Sequence, residues 1–317
     1  MKVVVTGGAG FIGSEFVRAL LKNDFRDFGL LPSEVIVIDA LTYAGSLSYL
    51  SEIENDSRYT FIHGNITNAP LMSKITQNCD LIVNFAAESH VDRSIENPIA
   101  FVETNIMGVQ TVLDAARLNS VRRVIQVSTD EVYGSIISGS WTEESPLLPN
   151  SPYSASKASG DLIARAYNRT YGLDVIITRC SNNFGPFQHT EKFIPKLITN
   201  MIHGVDLPIY GDGSNVREWI HVSEHARAIA FIAINGYAGE IYNIGSPIHL
   251  SNLELVEEIL HLFGETKSKL ILVPDRLGHD FRYSLDSRKL TNLGFHFKND
   301  FLERLSETIS WYKSPRF

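Results

Sequence analysis

The stretch Lys2-Val3-Val4-Val5-Thr6-Gly7-Gly8-Ala9-Gly10-Phe11-Ile12-Gly13 stands at the start of the chain and decides how the rest can fold. Its β-branched first half predicts a short strand, and the amphipathic residues Ser14–Lys22 after it predict a helix. Gly7 permits a tight turn between them, Gly10 lets the backbone approach a pyrophosphate, and Gly13 allows the helix to pack closely on the strand. A strand, a glycine turn and a helix in this order predict a dinucleotide-binding unit.

A carboxylate in the next predicted strand indicates which dinucleotide is bound. The apolar run Glu34–Asp39 ends in Asp39, where an acid accepts both hydroxyls of a ribose and repels a 2′-phosphate. The sequence therefore predicts NAD rather than NADP. Glycine spacing alone is a weak signal and is compatible with a merely structural turn, but the strand, the helix and Asp39 together favour a binding site.

The first half of the chain continues as apolar runs that alternate with helical segments. Further strands are predicted at Tyr59–His63, Leu81–Phe85, Arg123–Val127 and Asp174–Arg179, and helices at Ala69–Gln77, Pro98–Leu118 and Ser151–Tyr171. Near-continuous apolar strands between helices predict an α/β fold with a doubly wound parallel sheet of the Rossmann type.

The alternation stops after Asn183, where Gly185-Pro186 breaks the chain. We therefore expect an NAD-binding Rossmann domain at residues 1–184 and a smaller C-terminal α/β substrate-binding domain at residues 185–317. Elements are expected to cross this boundary.

Tyr153 and Lys157 lie four residues apart on a predicted helix and so share one face. An ammonium beside a phenol favours the phenolate and lowers a pKa that is otherwise about 10. Tyr153 could then take a proton from an alcohol while a hydride leaves. Such a pair on a surface helix is usually only solvated, but its place after a dinucleotide turn and five strands favours catalysis.

A second polar cluster, Thr129-Asp130-Glu131, follows the strand Arg123–Val127. Polar residues after a strand often cap a turn, and Thr129 or Asp130 could do so here. Two adjacent acids at a ligand crevice can also divide their roles, one staying protonated as an acid and the other ionised as a base. A simple alcohol oxidation does not need them, so the pair suggests a second proton transfer, such as the β-elimination of water.

Other polar residues at predicted strand ends are weaker candidates. Ser89 and His90 follow the fourth strand, and Asn182 and Asn183 follow the sixth. A structural hydrogen bond explains His90 equally well. The charged groups available to a ligand pyrophosphate in the second half are Arg217, Arg276 and His279, because guanidinium groups bind such anions in pairs of hydrogen bonds.

The composition limits the partners. Charged residues make up 20% of the chain and hydrophobic ones 44%, and the net charge of −8 disfavours nucleic acid. No apolar run approaches the roughly 18–20 residues of a membrane span, so no membrane partner is expected. A strand beginning at Lys2 leaves no room for a targeting segment, and Cys79 and Cys180 form no disulfide framework; we expect a cytoplasmic protein. The histidines lack metal-like spacing, so no metal is predicted.

Taken together, these motifs resemble the extended short-chain dehydrogenase/reductase superfamily and, within it, the dTDP-glucose 4,6-dehydratases. The resemblance covers nearly the whole chain. It is carried by Val5–Gly13, Leu41–Gly45, Phe85–Ser94, Ser128–Gly134, Ser151–Lys157, Arg179–Pro186, Glu191-Lys192, Val216–Trp219 and Asp275–His279. The glycine turn marks only the superfamily, whereas Thr129-Asp130-Glu131 is more selective.

The resemblance implies two sets of ligand contacts. NAD would be held by Gly7, Gly10, Phe11, Ile12, Gly13, Asp39, Leu41, Thr42, Asn65, Ile66, Ala86, Ala87, Thr104, Tyr153, Lys157 and Asn183. A nucleotide-diphosphate sugar would be held by Ser89, His90, Thr129, Asn182, Lys192, Pro208, Tyr210, Arg217, Asp275, Arg276 and His279.

It also implies a reaction. Tyr153 would deprotonate the carbon-4 hydroxyl of the sugar while Thr129 steadies that oxygen. Glu131 would take the carbon-5 proton, Asp130 would protonate the departing carbon-6 hydroxyl, and the product would be a 4-keto-6-deoxy sugar. The family's dimers pair helices, which here would be Pro98–Leu118 and Ser151–Tyr171.

Four positions depart from the pattern of these dehydratases. Asn65 replaces an aspartate near the adenine, Ser46 an asparagine, Leu277 a proline, and Ile248 a ligand-contacting asparagine. Two other hypotheses remain. An NAD-dependent nucleotide-sugar epimerase or decarboxylase would share the cofactor site but give the two acids no function. A non-catalytic NAD-binding regulator would typically lack Tyr153 or Lys157.

Overall fold

The computed structural model describes residues 1–275 and 280–314. Its strands are β1 (Lys2–Thr6), β2 (Glu34–Asp39), β3 (Tyr59–His63), β4 (Leu81–Asn84), β5 (Arg123–Thr129), β6 (Val175–Cys180), β7 (Asn182–Phe184), β8 (Leu207–Tyr210), β9 (Val216–His221), β10 (Ile241–Ile244), β11 (His249–Ser251) and β12 (Leu270–Val273). Seven of them form one sheet in the order β10-β6-β5-β4-β1-β2-β3. All neighbours in this sheet are parallel, which confirms the predicted doubly wound α/β fold.

The helices of the described residues are α1 (Phe11–Leu21), α2 (Ala69–Ile75), α3 (Val91–Glu96), α4 (Pro98–Val102), α5 (Val109–Leu118), α6 (Pro152–Tyr171), α7 (Phe193–His203), α8 (Val222–Asn235), α9 (Asn252–Phe263), α10 (Arg288–Asn292) and α11 (Phe301–Lys313). Short 3-10 helices lie at Arg26–Phe28, Leu47–Ile53 and Asp130–Tyr133.

Helices cover both faces of the large sheet, and β1 shows why its sequence is apolar throughout. Val3 and Val5 point into a core shared with α1 and α8, whereas Val4 points into the opposite core beneath α2 and α5. A strand buried on both faces has no polar side to expose, so every residue of its middle is apolar.

The predicted helix Pro98–Leu118 is helical throughout, but its middle turn is π-helical and not α-helical. Residues Glu103–Gly108 between α4 and α5 are π-helical. Asn105, in this segment, exchanges two hydrogen bonds of 2.9 Å with the backbone of Glu88 and donates a third of 2.9 Å to Ser156 Oγ. We attribute the wider turn to these long-range bonds. Single π-helical turns within α-helices commonly occur at functional sites.

The chain reverses direction across the sheet between β1 and β4. From β1 it proceeds to β2 and β3 on one side, and then to β4, β5 and β6 on the other. In open parallel sheets the ligand crevice lies at such a point, outside the carboxyl ends of the strands.

The second half of the chain forms a smaller cap beside these strand ends. It contains a three-stranded sheet, β11-β9-β7, and a parallel pair, β12-β8, over a separate apolar core. However, β10 pairs with β6 in the large sheet, and α8 packs on the first core. The division into 1–184 and 185–317 stays a prediction, and these two elements cross it.

Candidate active site

A pocket of about 310 Å³ opens at the carboxyl ends of the central strands. Most residues predicted to bind NAD lie on its wall: Gly7, Gly10, Phe11, Ile12, Gly13, Asp39, Thr42, Asn65, Ile66, Ala86, Ala87, Thr104, Tyr153, Lys157 and Asn183. The wall also contains Ser89, His90, Thr129, Asp130, Glu131, Asn182 and Lys192. The fold therefore brings both predicted polar clusters into one cavity.

The glycine turn forms a cradle with no room for side chains. Gly7 has a φ of +65°, and a Cβ there would lie 2.6 Å from the backbone nitrogen of Ala86. A Cβ on Gly13 would lie 2.3 Å from the carbonyl oxygen of Gly7. Because α1 begins at Phe11 directly behind this turn, its positive dipole end faces the pocket. These residues fit the pyrophosphate of a dinucleotide.

Asp39 ends β2 at the edge of the same cradle. Its carboxylate accepts a hydrogen bond of 2.9 Å from the N–H of Ala9 and one of 2.8 Å from the N–H of Leu41. Each carboxylate oxygen accepts more than one hydrogen bond, so both keep capacity for ribose hydroxyls. Leu41 itself does not line the pocket; its left-handed backbone, with a φ of +49°, directs its N–H to Asp39.

Thr129 both lines the pocket and caps a turn. Its two interpretations from the sequence, as a turn cap and as a residue of the ligand crevice, are therefore compatible. Its Oγ1 accepts a hydrogen bond of 3.3 Å from the N–H of Glu131, and this starts the 3-10 helix Asp130–Tyr133. The same Oγ1 donates to Asp130 Oδ1 at 3.1 Å. The turn therefore fixes three adjacent polar side chains at the end of β5.

Asp130 is buried, with 2% of its surface exposed, and its Oδ2 lacks a hydrogen-bond partner among the described residues. Burial raises its pKa well above the usual range, and the nearby Glu131 and Glu218 add to this effect, while Thr129 and Arg217 oppose it. The environment of Asp130 therefore favours the protonated form of its carboxyl. This is the state that a general acid requires.

The predicted lowering of the Tyr153 pKa is wrong for the protein alone. Burial raises the pKa of Tyr153 well above 10, and the charge of Glu131 adds to it, whereas a hydrogen bond with Thr129 acts in the opposite direction. Burial likewise lowers the pKa of Lys157 to about 8. Lys157 donates its Nζ hydrogen bond to the carbonyl of Val127, at 2.7 Å. Burial is the main cause of both pKa shifts.

Residues from both halves of the chain meet at the mouth of the pocket. Glu191 pairs with Arg93 at 2.9 Å and with His90 at 3.3 Å, and Lys192 donates a hydrogen bond of 2.9 Å to the carbonyl of Ser89. His90 thus contacts Glu191 while it lines the pocket. Arg93 also lies over the ring of Tyr43, 3.8 Å from its centroid.

Four predicted sugar-nucleotide residues do not line this pocket. Pro208 and Tyr210 lie on β8 near Asp275, which follows its partner strand β12. Arg217 is buried, and its guanidinium donates to the carbonyls of Val216, Asp280 and Phe281. Arg276, Leu277 and His279 lie outside the described residues. The assignment of these positions stays a prediction.

Several residues on the pocket wall were not predicted from the sequence. Tyr43 and Glu88 face each other there through a hydrogen bond, and burial and Glu88 raise the pKa of Tyr43 to about 12. Both belong to motifs quoted above for the resemblance, so their positions after β2 and β4 were the available signal. Glu218, 0% exposed behind the site, also belongs to a quoted motif, Val216–Trp219, but its influence on Asp130 depends on tertiary packing.

Within residues 1–275 and 280–314, no group of three or more His, Cys, Asp or Glu side chains is arranged to hold a metal ion. None of the helices there is both long and apolar enough to cross a membrane.

Comparison with known proteins adds to this geometry. The chain matches the model of the NAD dependent epimerase/dehydratase family over residues 3–245. It is 50% identical to the dTDP-glucose 4,6-dehydratase of Streptomyces niveus over 317 residues, which cover 100% of this chain and 94% of that protein.

Two solved structures are similar over the whole chain. The dTDP-glucose 4,6-dehydratase DesIV of Streptomyces venezuelae, with NAD and TYD bound, has a TM-score of 0.97 and 54% identity, covering 100% of this chain and 98% of that one. The dTDP-glucose 4,6-dehydratase of Bacillus anthracis in complex with NAD has a TM-score of 0.90 and 44% identity, covering 100% and 97%. The chain therefore belongs to the NAD dependent epimerase/dehydratase family.

Proposed function

We propose that this protein removes water from dTDP-glucose to give dTDP-4-keto-6-deoxyglucose, as a lyase that uses NAD. Full-length identity of about half to dTDP-glucose 4,6-dehydratases supports this activity. The buried carboxyl of Asp130 is the observation that favours dehydration over epimerisation or decarboxylation. A protonated acid beside Glu131 has a function only if a leaving group must be protonated.

The glycine cradle, the N-terminus of α1 and Asp39 would hold NAD by its pyrophosphate and ribose. NAD bound there would supply reversible hydride chemistry for the oxidation at carbon 4 and the reduction at carbon 6, and its positive nicotinamide ring would favour the phenolate of Tyr153. The carboxylate of Asp39 disfavours the 2′-phosphate of NADP.

Tyr153 takes the proton of the carbon-4 hydroxyl as that carbon is oxidised. Its position is fixed by α6, whose first turn is closed by a reciprocal capping box between Ser151 and Ser154. Lys157, one turn further along, is anchored on Val127 beneath the site. In its ammonium form it supports the phenolate that the reaction requires.

Glu131 and Asp130 then carry out the elimination. The new ketone acidifies the proton on carbon 5, which Glu131 removes, and Asp130 gives its proton to the departing carbon-6 hydroxyl. Glu131 returns a proton to carbon 5 as the hydride arrives at carbon 6. Burial of Asp130 serves this sequence, because it raises the pKa of the acid and so favours its protonated form.

An isotope label tests the reaction. Deuterium placed at carbon 4 of dTDP-glucose should reappear at carbon 6 of the 4-keto product. Parallel incubations with UDP-, GDP- and CDP-glucose should give less product, which measures the selectivity for the nucleotide. Retention of the label at carbon 4, or its loss into added NADH, would contradict the proposal and favour an epimerase or decarboxylase.

We further infer a homodimer and a cytoplasmic location. Support for the dimer comes from exposed apolar side chains on the two predicted pairing helices, such as Ile99 and Leu162. Support for the location comes from Cys79 and Cys180, which are both buried and free of disulfides.

A further inference from the structure

The proposed reaction leaves two side chains in the wrong protonation state after each turnover. The carbon-4 hydroxyl gives its proton to Tyr153, and the carbon-5 proton goes to Glu131 and back. The carbon–oxygen bond at carbon 6 breaks with a proton from Asp130, so the oxygen leaves as water, while the hydride that leaves carbon 4 ends on carbon 6. In sum, Tyr153 gains one proton and Asp130 loses one. A second turnover requires a proton to move from Tyr153 to Asp130.

Thr129 lies between these two groups. Its Oγ1 donates to Asp130 Oδ1 at 3.1 Å, and its hydroxyl also forms a hydrogen bond with the phenol of Tyr153. Asp130 and Tyr153 are 2% and 8% exposed. Bulk water therefore reaches neither group easily, whereas a single hydroxyl contacts both.

The chemistry of a hydroxyl suits this position. It has one proton to donate and two lone pairs to accept with, so it can accept from one neighbour while donating to the other. Before the reaction, a protonated Asp130 donates to Thr129, which donates to the phenolate of Tyr153. After the reaction, the phenol donates to Thr129, which donates to the carboxylate of Asp130. The hydrogen bond of 3.1 Å between Thr129 Oγ1 and Asp130 Oδ1 is the contact that both states use.

We propose that Thr129 is the proton relay that resets the site, passing one proton from Tyr153 to Asp130 after each turnover. The phenolic O–H bond breaks as a bond to Thr129 Oγ1 forms, and the Thr129 O–H bond breaks as a bond to Asp130 forms. No net proton, electron or co-reactant enters. The relay rests on the proposed dehydration and deepens it, because it lets a closed pocket complete the cycle without solvent.

Replacing the hydroxyl should separate the first turnover from later ones. In rapid-quench experiments with excess dTDP-glucose, Thr129→Val should form about one product per site and then slow by about tenfold or more, because the reset now depends on solvent. Small acids and bases such as formate and imidazole should accelerate only this slow phase. Thr129→Ser keeps a hydroxyl, so whatever its overall rate it should show equal first and later turnovers, without a buffer-dependent phase.

Three outcomes would overturn the relay. They are equal slowing of first and later turnovers in Thr129→Val, wild-type steady-state turnover in that variant, and a slow phase insensitive to buffer. Thr129→Ala provides the same test if the valine variant folds poorly, with far-ultraviolet circular dichroism and NAD content as checks on folding. Failure of the proposed function is distinct, since the wild type would then form no dehydrated product at all.

Discussion

At the scale of single residues, burial sets the charge of the groups proposed to do the chemistry. Asp130 is kept protonated and Lys157 is pushed toward its neutral form by the same loss of water. Both effects cost stability in the folded state, because each group would ionise freely in an unfolded chain. The pocket thus favours protonation states of Asp130 and Lys157 that are unfavourable for the same groups in water.

Asp130→Asn should separate oxidation from dehydration. The amide cannot supply a proton, so formation of dehydrated product should fall by about 10²–10⁴-fold. Tyr153 and Lys157 are unchanged, so substrate should still reduce the bound nicotinamide, which is measured by its near-ultraviolet absorbance. Asp114→Asn, an exposed carboxyl on α5, is the matched control and should leave turnover unchanged. Normal dehydration by Asp130→Asn would remove Asp130 from the mechanism.

Lys157→Met should make the protein more stable but inactive. The pKa of Lys157 is lowered from 10.5 to about 8, which corresponds to a cost of up to about 3 kcal/mol. Below pH 8 both the folded and the unfolded chain hold the proton, so the full cost is present. Between pH 8 and 10.5 the folded state loses the proton first, and wild-type stability rises with pH.

Urea unfolding at equal NAD content measures this difference. The advantage of Lys157→Met should be largest at pH 7 and shrink toward pH 10. Lys196→Met, at an exposed position on α7, should change little at either pH. A pH-independent difference, or a methionine variant less stable than the wild type at pH 7, would contradict the argument.

At the scale of elements, the predictable parts are those whose pattern is local. The strands β1, β2 and β3 begin and end where their sequences predict. In β1 and β2 this follows from burial of the strand on both faces, which permits no polar interruption. The start of α6 was predictable from Pro152 and its end from Gly172, since both act within one turn.

What the sequence could not predict depends on contacts between distant segments. The π-helical turn accompanies the bonds between Asn105 and Glu88, which no local pattern reveals. The prediction for Tyr153 considered its neighbour Lys157 but not the depth of the pocket, and burial is the largest cause of the pKa shift. Likewise, Arg217 has the right chemistry for a phosphate, yet its guanidinium is bonded to the backbone near Asp280.

A buried ion pair joins the elements that carry the proposed catalytic groups. Arg179 on β6 pairs with Asp161 on α6 at 2.9 Å, with both side chains almost fully buried. Arg179 also donates to the hydroxyl of Tyr133 at 2.8 Å, and that hydroxyl donates to Asn243 Oδ1 at 2.8 Å. Because Tyr133 ends the 3-10 turn that begins at Asp130, this network links the turn to the helix of Tyr153.

Asp161→Ala should lower the free energy of unfolding by about 3–5 kcal/mol, since it leaves a buried guanidinium without its counter-charge. The double variant Asp161→Leu/Arg179→Met should recover most of that loss. It should nevertheless turn over more slowly than the wild type, because Tyr133 loses the bond that positions the turn. Urea unfolding and steady-state rates measure the two effects.

The exposed pair Asp114–Arg117 is the matched control for this network, and Asp114→Ala should cost less than about 1 kcal/mol. Full activity in the stabilised double variant would show that the network supports the fold but not the catalytic turn.

At the scale of the whole molecule, the pocket is closed by both halves of the chain. Arg93 and Glu191 are 98 residues apart in sequence, and Lys192 and Ser89 are 103 apart, yet each pair is in hydrogen-bond contact across the pocket mouth. The large sheet supplies the cradle and the proposed catalytic groups, while the cap supplies this closing edge. Chemistry that must exclude water benefits from such an arrangement.

The outer surfaces of the two predicted pairing helices, Pro98–Leu118 and Ser151–Tyr171, support the dimer prediction. Ile99 and Met107 are 63% and 56% exposed, and Leu162 on α6 is 53% exposed, so apolar side chains project from both predicted pairing helices. We expect the wild type to sediment as a dimer, and Met107→Asp/Leu162→Asp to sediment as a monomer, because charges there would be buried on association. Ile137→Asp is the matched control, since Ile137 is 87% exposed in a loop outside these helices and should leave the dimer intact. A wild type that sediments as a monomer at micromolar concentration, or a double variant that still dimerises, would place the interface elsewhere or remove it.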